Sequence, residues 1–163
     1  MKKIVLIRHA KSDWDNPWLE DHDRPLADRG VKDAQKMAKR LKKRILKPEI
    51  ILSSTALRAV ETAKITTKEL NLPEEEIRFE KKLYHASPGT LLKYIHLQKD
   101  SKNTLLIFGH NPGLNELITY LGGKIENLPT SGQFGFILKS DRWNDFLPGN
   151  AELWFVDFPK KKS

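Results

Sequence analysis

Three short apolar runs lead into a cationic or imidazole side chain. Ile4-Val5-Leu6-Ile7 is followed at once by Arg8 and His9, Leu105-Leu106-Ile107-Phe108 by Gly109 and His110, and Ile50-Ile51-Leu52 by a polar stretch and then Arg58. Continuous aliphatic runs of this length suit strands buried on both faces of a parallel sheet. The carboxyl ends of such strands line one edge, so residues that follow different strands converge on one crevice. Two guanidinium groups and two imidazoles gathered there raise each other's energy and push the histidines toward the neutral form unless an anion sits among them. A phosphoryl group fits that cluster best, because guanidinium groups grip its oxygens and neutralise charge as a P–O or P–N bond breaks. A neutral imidazole is a competent nucleophile toward phosphorus when one ring nitrogen is free and the other is fixed by a hydrogen bond. The arginines and the second histidine would supply the positive charge. With no His-x-x-x-His or carboxylate-rich metal motif in the chain, the expectation is a site with no metal and no cofactor.

The elements that must position these residues are legible in outline. Val31, Ala34, Met37, Ala38, Leu41 and Ile45 recur at helical spacing, with Gly30 before them and Pro48 after, and predict a helix over 31–45. A polar turn is expected at Ser53-Ser54-Thr55, then a helix over 57–70 with Leu57, Val60, Ala63, Ile65 and Leu70 roughly on one side. Ile77 to Leu83 reads as a marginal strand. Ser87-Pro88 reads as an N-cap with proline at the first helical position, opening a helix through Leu97. A further helix over Leu114 to Leu121 ends at Gly122-Gly123, and Phe134 to Leu138 and Leu153 to Phe158 read as two closing strands. Strands alternating with helices for most of the length predict a single three-layer α/β/α domain, residues 1–158, with a largely parallel sheet. Residues 159–163 form a basic tail.

Composition bounds the setting. The 163 residues carry 29 Lys and Arg against 21 Asp and Glu, a formal charge of +8, with no Cys. One domain is the expectation at this length. Without Cys there are no disulfides and no thiolate chemistry, which fits a reducing compartment. No run is apolar enough for a signal peptide or a membrane span, so the expectation is a soluble, cytoplasmic chain with no membrane partner, read as a monomer. The charge is local: residues 36–47 hold seven Lys or Arg and no acid, and Lys160, Lys161 and Lys162 add three. Without these ten, 19 basic residues face 21 acidic ones. The stripe reads as a solvated helix face plus a frayed tail; the rival is a polyanion or RNA-binding module. The stripe lacks interleaved aromatics or an RNP-like motif, which speaks against nucleic acid as a partner.

IVLIRHAKSDW resembles the Arg-His-Gly opening of the histidine phosphatase superfamily, the phosphoglycerate-mutase-like fold, with Ala10 where many members have Gly. RPLADRG (24–30), LSSTALRAVETA (52–63) and FGHNPGLNEL (108–117) are further matches in the right order. The short length, Ala10, the Leu83-Tyr84 then Ala86 pattern and HNPG look most like the SixA-type phosphohistidine phosphatases. The resemblance implies that His9 is the nucleophile and is transiently phosphorylated, that Arg8 and Arg58 bind the phosphoryl oxygens, and that His110 completes the pocket. It also implies a phosphorylated substrate, such as a histidine-phosphorylated protein or another phosphoramidate; a small phosphoester metabolite is the alternative. Mutases of the superfamily carry an acidic proton donor in a segment that falls near His85 here, with Glu80 close by and no clean match. A phosphoramidate leaving group needs an enzymic acid less than an alkoxide does, because its own nitrogen takes the proton.

Around this core, His85 is either a proton donor or a loop histidine packed beside Tyr84. Ser12 is placed to give the phosphate a hydroxyl or backbone contact, while Trp14 and Trp18 close the loop. Asn111 is expected to contribute backbone N–H at a helix start. Glu61 either orients Arg58 or makes a surface pair. Thr62 reads as a packed helix residue, Arg24 to Gly30 as shaping the helix entry, and Thr130-Ser131-Gly132 as a turn. His22 reads as solvated and His96 as lying on an exposed helix face.

Overall fold

In this computed structural model, which describes residues 1–45 and 47–162, the chain runs through β1 (Lys2–Arg8), α1 (Asp28–Arg44), β2 (Ile50–Ser54), α2 (Leu57–Glu69), β3 (Ile77–Glu80), α3 (Pro88–His96), β4 (Thr104–Gly109), α4 (Gly113–Tyr120), β5 (Gln133–Leu138) and β6 (Ala151–Asp157). The strands form one sheet in the order β3-β2-β4-β1-β5-β6. The pairs β3–β2, β2–β4 and β4–β1 are parallel, while β5 runs antiparallel to both β1 and β6. The sheet is therefore largely parallel, with β5 alone reversed.

The aliphatic runs explain the three layers. Successive strand residues point to opposite faces, so Ile4 and Leu6 pack with Ile95, Leu114 and Leu117 of α3 and α4, while Val5 and Ile7 pack with Leu41 of α1 and Ala63 of α2. All four are at most 2% exposed. Ser87 caps α3 as expected, its hydroxyl accepting from Thr90 N at 3.2 Å.

Several elements depart from the sequence reading. Ser53 and Ser54 are fully buried residues of β2 rather than a turn, because parallel pairing with β3 continues to Ser54. Strand β3 stops at Glu80 and a 3-10 turn carries the chain to Leu83. Helix α1 begins at Asp28, so Gly30 lies inside its first turn, where a Cβ would stand 2.2 Å from the Lys11 carbonyl oxygen. Helix α2 buries Arg58, Ala59, Thr62, Ala63, Thr66 and Thr67, leaving Leu57 exposed; its threonines return their hydroxyls to the preceding turn, as Thr66 does to Thr62 O at 2.9 Å, and so enter the core without unpaired groups.

The basic stripe is not wholly solvated either. Arg40 and Arg44 pair with Asp157 at 2.9 and 3.4 Å, and that carboxylate is 3% exposed. Lys36 Nζ donates to Pro159 O at 2.8 Å. Part of the stripe thus fastens the end of the chain to α1 through Phe158 and Pro159, the first residue of the basic tail. Leu46 of the 36–47 run and Ser163 of the 159–163 tail lie outside the described residues. Among the described residues, no helix is long and apolar enough to cross a membrane.

Candidate active site

Arg8 is the last residue of β1, His9 follows it, His110 follows β4, and Arg58 sits in the first turn of α2 just after β2. Since β2, β4 and β1 are adjacent and parallel, their carboxyl ends bring these four residues together. They line an open cavity of about 310 Å³ with Lys11, Ser12, Trp14, Asp21, His85, Asn111 and Thr130. Of the residues singled out from sequence, Arg8, His9, Ser12, Arg58, His85, His110 and Asn111 border this cavity, while Trp18, Glu61 and Glu80 do not.

His9 is held by its backbone and by its ring. Its N–H donates to Gly109 O at 3.1 Å, and its carbonyl accepts from Ser131 N at 3.0 Å. Nδ1 lies 2.7 Å from Ala10 O; a carbonyl can only accept, so Nδ1 carries the proton and Nε2 keeps its lone pair. Arg58 Nε donates to that Nε2 at 3.3 Å. Burial pushes the His9 pKa down to about 4; the Ala10 hydrogen bond opposes this, and the Arg58 and Arg8 charges reinforce it. His9 is therefore a neutral imidazole with an oriented lone pair at neutral pH.

His110 faces it, with ring centroids 5.1 Å apart. Burial, and then the neighbouring His9, with which it competes for a proton, and the Arg58 charge, drive its pKa down to about 2. Its Nε2 lies 2.8 Å from Ser54 Oγ and its Nδ1 3.5 Å from Arg58 Nη2. Arg8 donates from Nη1 to Leu128 O at 3.0 Å, while its Nε is buried with no partner among the described residues. A buried guanidinium N–H without an acceptor costs on the order of 1–3 kcal/mol, a cost that an anion in the cavity would remove.

Asp21 is the site residue that the sequence did not announce. Its carboxylate accepts from Arg58 Nη2 at 3.0 Å and its carbonyl from Arg58 Nη1 at 2.7 Å. The Tyr84 hydroxyl donates to the same carboxylate oxygen. Partial burial would raise the Asp21 pKa, but the Tyr84 and Arg58 hydrogen bonds outweigh it and hold the group down to about 2. His85 lies at the rim, stacked on Tyr84 at 4.0 Å between ring centroids, with Nε2 3.4 Å from Asp21 Oδ2. His85 thus packs beside Tyr84 and borders the cavity. It adopts φ +53°, and Ser131 behind His9 adopts φ +63°. Left-handed non-glycine backbone of this kind tends to gather at functional sites.

Other side chains position the four. Thr62 Oγ1 accepts from Ala10 N at 2.9 Å and donates to Arg58 O at 2.7 Å, linking the turn after His9 to the helix that carries Arg58; it is a polar anchor rather than mere packing. Glu61 accepts from Leu26 N at 2.8 Å and does not orient Arg58. Arg24 does shape the loop, donating to Asn16 O and Leu19 O and stacking on Trp14 at 3.9 Å. Ser12 Oγ accepts from Trp14 Nε1 at 3.0 Å. The Asn111 side chain is spent on Leu128 O and Asn115 N at 3.0 and 3.1 Å. A Cβ on Gly113 would stand 2.1 Å from Ala86 O, so glycine there lets α4 approach the His85 turn. Glu80 reaches only Arg78, at 3.8 Å. His22 bonds Thr55 Oγ1 at 2.8 Å and His96 bonds Phe146 O at 3.0 Å, so neither is simply solvated.

A sequence profile of the histidine phosphatase superfamily (branch 1) matches residues 4–93, more than half of the chain. The chain belongs to the histidine phosphatase superfamily. An uncharacterised protein of Mycobacterium tuberculosis is 34% identical to this histidine phosphatase over 165 residues, covering 94% of this chain and all of the relative. A solved structure from Agrobacterium tumefaciens assigned as a phosphohistidine phosphatase SixA superposes with a TM-score of 0.80 at 25% identity, over 95% of this chain and 96% of that one. The protein histidine phosphatase SixA complexed with tungstate superposes at 0.81 and 24% identity, over 96% and 97%. The three-layer α/β/α fold of this histidine phosphatase is that of the phosphoglycerate-mutase-like structures.

Proposed function

We propose that the chain is a metal-independent phosphatase that works through a covalent phosphohistidine on His9, with phosphohistidine on a protein or another phosphoramidate as its substrate. The observation that carries this reading is the His9 ring, neutral, with Nδ1–H bound to Ala10 O and the Nε2 lone pair facing Arg58, whose Nε donates to it at 3.3 Å until a phosphoryl group takes that donor. In the first step the substrate P–N bond breaks as the His9 Nε2–P bond forms, and the leaving nitrogen takes up a proton. In the second, water attacks phosphorus, the Nε2–P bond breaks, and His9 and inorganic phosphate are released. Arg8 Nε and the Arg58 guanidinium bind the equatorial oxygens. A bound phosphoryl dianion raises the proton affinity of His110, so that imidazole gains positive charge when the transition state calls for it.

His85, at the rim and 3.4 Å from Asp21 Oδ2, would pass a proton to the leaving group in this reading, since Asp21, ionised down to about pH 2, has none of its own to give. A phosphoramidate suits such a site, since its nitrogen accepts a proton before bond cleavage. That the SixA neighbour is complexed with tungstate, a tetrahedral oxyanion like phosphate, supports a phosphoryl ligand for this fold. The test is rapid quenching with a labelled phosphoramidate: an acid-labile, base-stable phosphoenzyme forms in the native protein and is absent from His9→Ala. Full turnover by His9→Ala would overturn the mechanism. A parallel series of small phosphoesters measures the alternative substrate class.

A further inference from the structure

The phosphoryl cavity is not closed on all sides. Lys11 and Thr130 line both that cavity and a neighbouring one of about 530 Å³, whose far wall includes Arg29, Phe158, Pro159 and Lys160. Arg29, Pro159 and Lys160 are in turn shared with a third hollow of about 610 Å³ that ends among Lys36, Lys161 and Lys162. The three hollows thus adjoin through shared lining residues, along α1, the carboxyl-terminal segment and the Pro129-Thr130 turn, and are taken together as one groove.

The groove is built rather than incidental. Lys36 donates to Pro159 O at 2.8 Å and Arg40 to Phe158 O at 3.0 Å, which fixes α1 to the carboxyl-terminal segment, and Lys161 donates to Val156 O at 2.7 Å within that segment. Arg29, Lys160 and Lys162 are left exposed along it. Beyond the phosphoryl cavity its lining holds one carboxylate, Asp33, which reaches Arg29 at 3.8 Å. A concave run of one sign of charge attracts a polyanion well beyond contact distance.

We infer that this groove takes an acidic segment of the protein that carries the phosphoryl group, an inference that rests on reading the His9 cavity as the phosphoryl site. The lining favours a peptide over a nucleic acid. Its one aromatic ring is Phe158, set among Pro129 and Pro159, which offers apolar contact to a peptide chain but no succession of faces for bases to stack on. Carboxylates flanking the phosphorylated residue would meet Lys11 first and Arg29, Lys160 and Lys162 further out, while the phosphoryl group stays with Arg8 and Arg58. This also gives the local basic excess of the sequence a use that the site itself does not require.

The test combines Arg29→Gln, Lys160→Gln and Lys162→Gln, none of which lines the phosphoryl cavity. Binding is read by fluorescence anisotropy with a phosphate-free polyglutamate peptide and a polyglutamine control. Turnover is read with phosphoramidate and with phosphohistidine peptides bearing acidic or neutral flanks. The native protein should bind the acidic peptide over the neutral one, less so as salt rises. The triple variant should lose about tenfold in that binding and in kcat/KM for the acidic phosphopeptide, with phosphoramidate turnover held within about twofold. Equal binding of both peptides, an unaltered acidic phosphopeptide, an equal loss on phosphoramidate, or preference for a single-stranded oligonucleotide of matched charge would overturn it. If the native protein binds the acidic peptide yet hydrolyses no phosphoramidate or phosphopeptide, the phosphoryl reading fails and the groove stands as a peptide site.

Discussion

The two ends of β1 each hold a cationic side chain, and they treat it in opposite ways. At the amino end Lys2 is fully buried, yet its ammonium donates to Asp100 O, to Lys102 O at 2.8 Å and to Asn103 Oδ1 at 2.9 Å, and lies 5.4 Å from the Trp143 ring centroid. All three N–H bonds are used, so the charge is closed off by the protein itself. At the carboxyl end Arg8 spends Nη1 on Leu128 O but leaves Nε buried without an acceptor, beside a second guanidinium and two histidines held neutral. A buried cation with every donor satisfied is structure; one left short of an acceptor at a cavity shared with a second guanidinium and two imidazoles is a request for a ligand. Arg24, whose Nε is also unpartnered, instead spends its other nitrogens on the loop and stacks on Trp14. Four measurements can break or sharpen that contrast.

The largest effect belongs to Arg8. Arg8→Ala removes a donor that meets charge developed in the transition state, and kcat/KM should fall by about a thousandfold, with the urea midpoint little moved, because the unsatisfied Nε goes with the lost bond and Leu128 O keeps its bond from Asn111 Nδ2. A variant that lost stability and kept its activity would put Arg8 in the same class as Lys2. Lys2→Met gives the mirror image. It takes a donor from Asp100 O and from the Asn103 amide oxygen, while Lys102 O keeps Trp143 Nε1 at 2.9 Å, and unfolding free energy should drop by about 1–2 kcal/mol, while activity per folded molecule stays the same. Loss of turnover beyond the loss of folded protein would show that the two ends of the strand are coupled.

The third measurement uses pH. An unfolded imidazole titrates near 6.5, whereas His9 is held down to about 4 and His110 to about 2. Below pH 6.5 the unfolded chain therefore binds more protons than the folded one. Stability is complete above that pH and falls as the pH drops from 6.5 toward 4, by about 1.4 kcal/mol per pH unit for each histidine. His110→Asn should roughly halve that slope in urea titrations. Inorganic phosphate, by favouring the protonated imidazoles, should flatten it as well. An equal slope with and without phosphate would mean that the cavity does not receive the anion.

How much of this was legible depended on distance along the chain. Arg8, His9 and His110 directly follow aliphatic runs, and parallel pairing leaves such residues nowhere to go but one edge of the sheet, so their convergence could be read from residue types and spacing. Arg58 needed only the start of a helix. Asp21 was hidden because its place is set by how residues 11–27 fold back: the Ser12–Leu26 bridge, Arg24 gripping Asn16 and Leu19, and Gly30 against Lys11. Among Glu20, Asp21 and Asp23, composition offers no reason to choose one. Thr62 was misread because a threonine inside a helix has the same pattern whether its hydroxyl packs or anchors Ala10 N. Ser53 and Ser54 look like a turn because polar residues in a strand are unusual; the Ser53 hydroxyl instead donates to Ser54 O, and Ser54 Oγ meets His110.

Arg58 lies between the two ends of β1 in character, which gives the fourth and smallest effect. Its donors are occupied, but by Asp21, whose side chain is 41% exposed, and so by an acceptor that can move aside. A phosphoryl oxygen arriving at Nη2 must displace that carboxylate and sit near its charge. Asp21→Asn keeps the shape and an acceptor oxygen while removing the repulsion. Because a half-exposed charge is well screened, inorganic phosphate should inhibit the variant only about threefold more tightly, and the gain should shrink at high salt. Tighter product binding would lower kcat where phosphate release limits turnover, with kcat/KM held or raised. A weaker phosphate affinity would mean that Asp21 holds Arg58 in position rather than competing for it, and would move Arg58 toward the self-satisfied class that Lys2 represents.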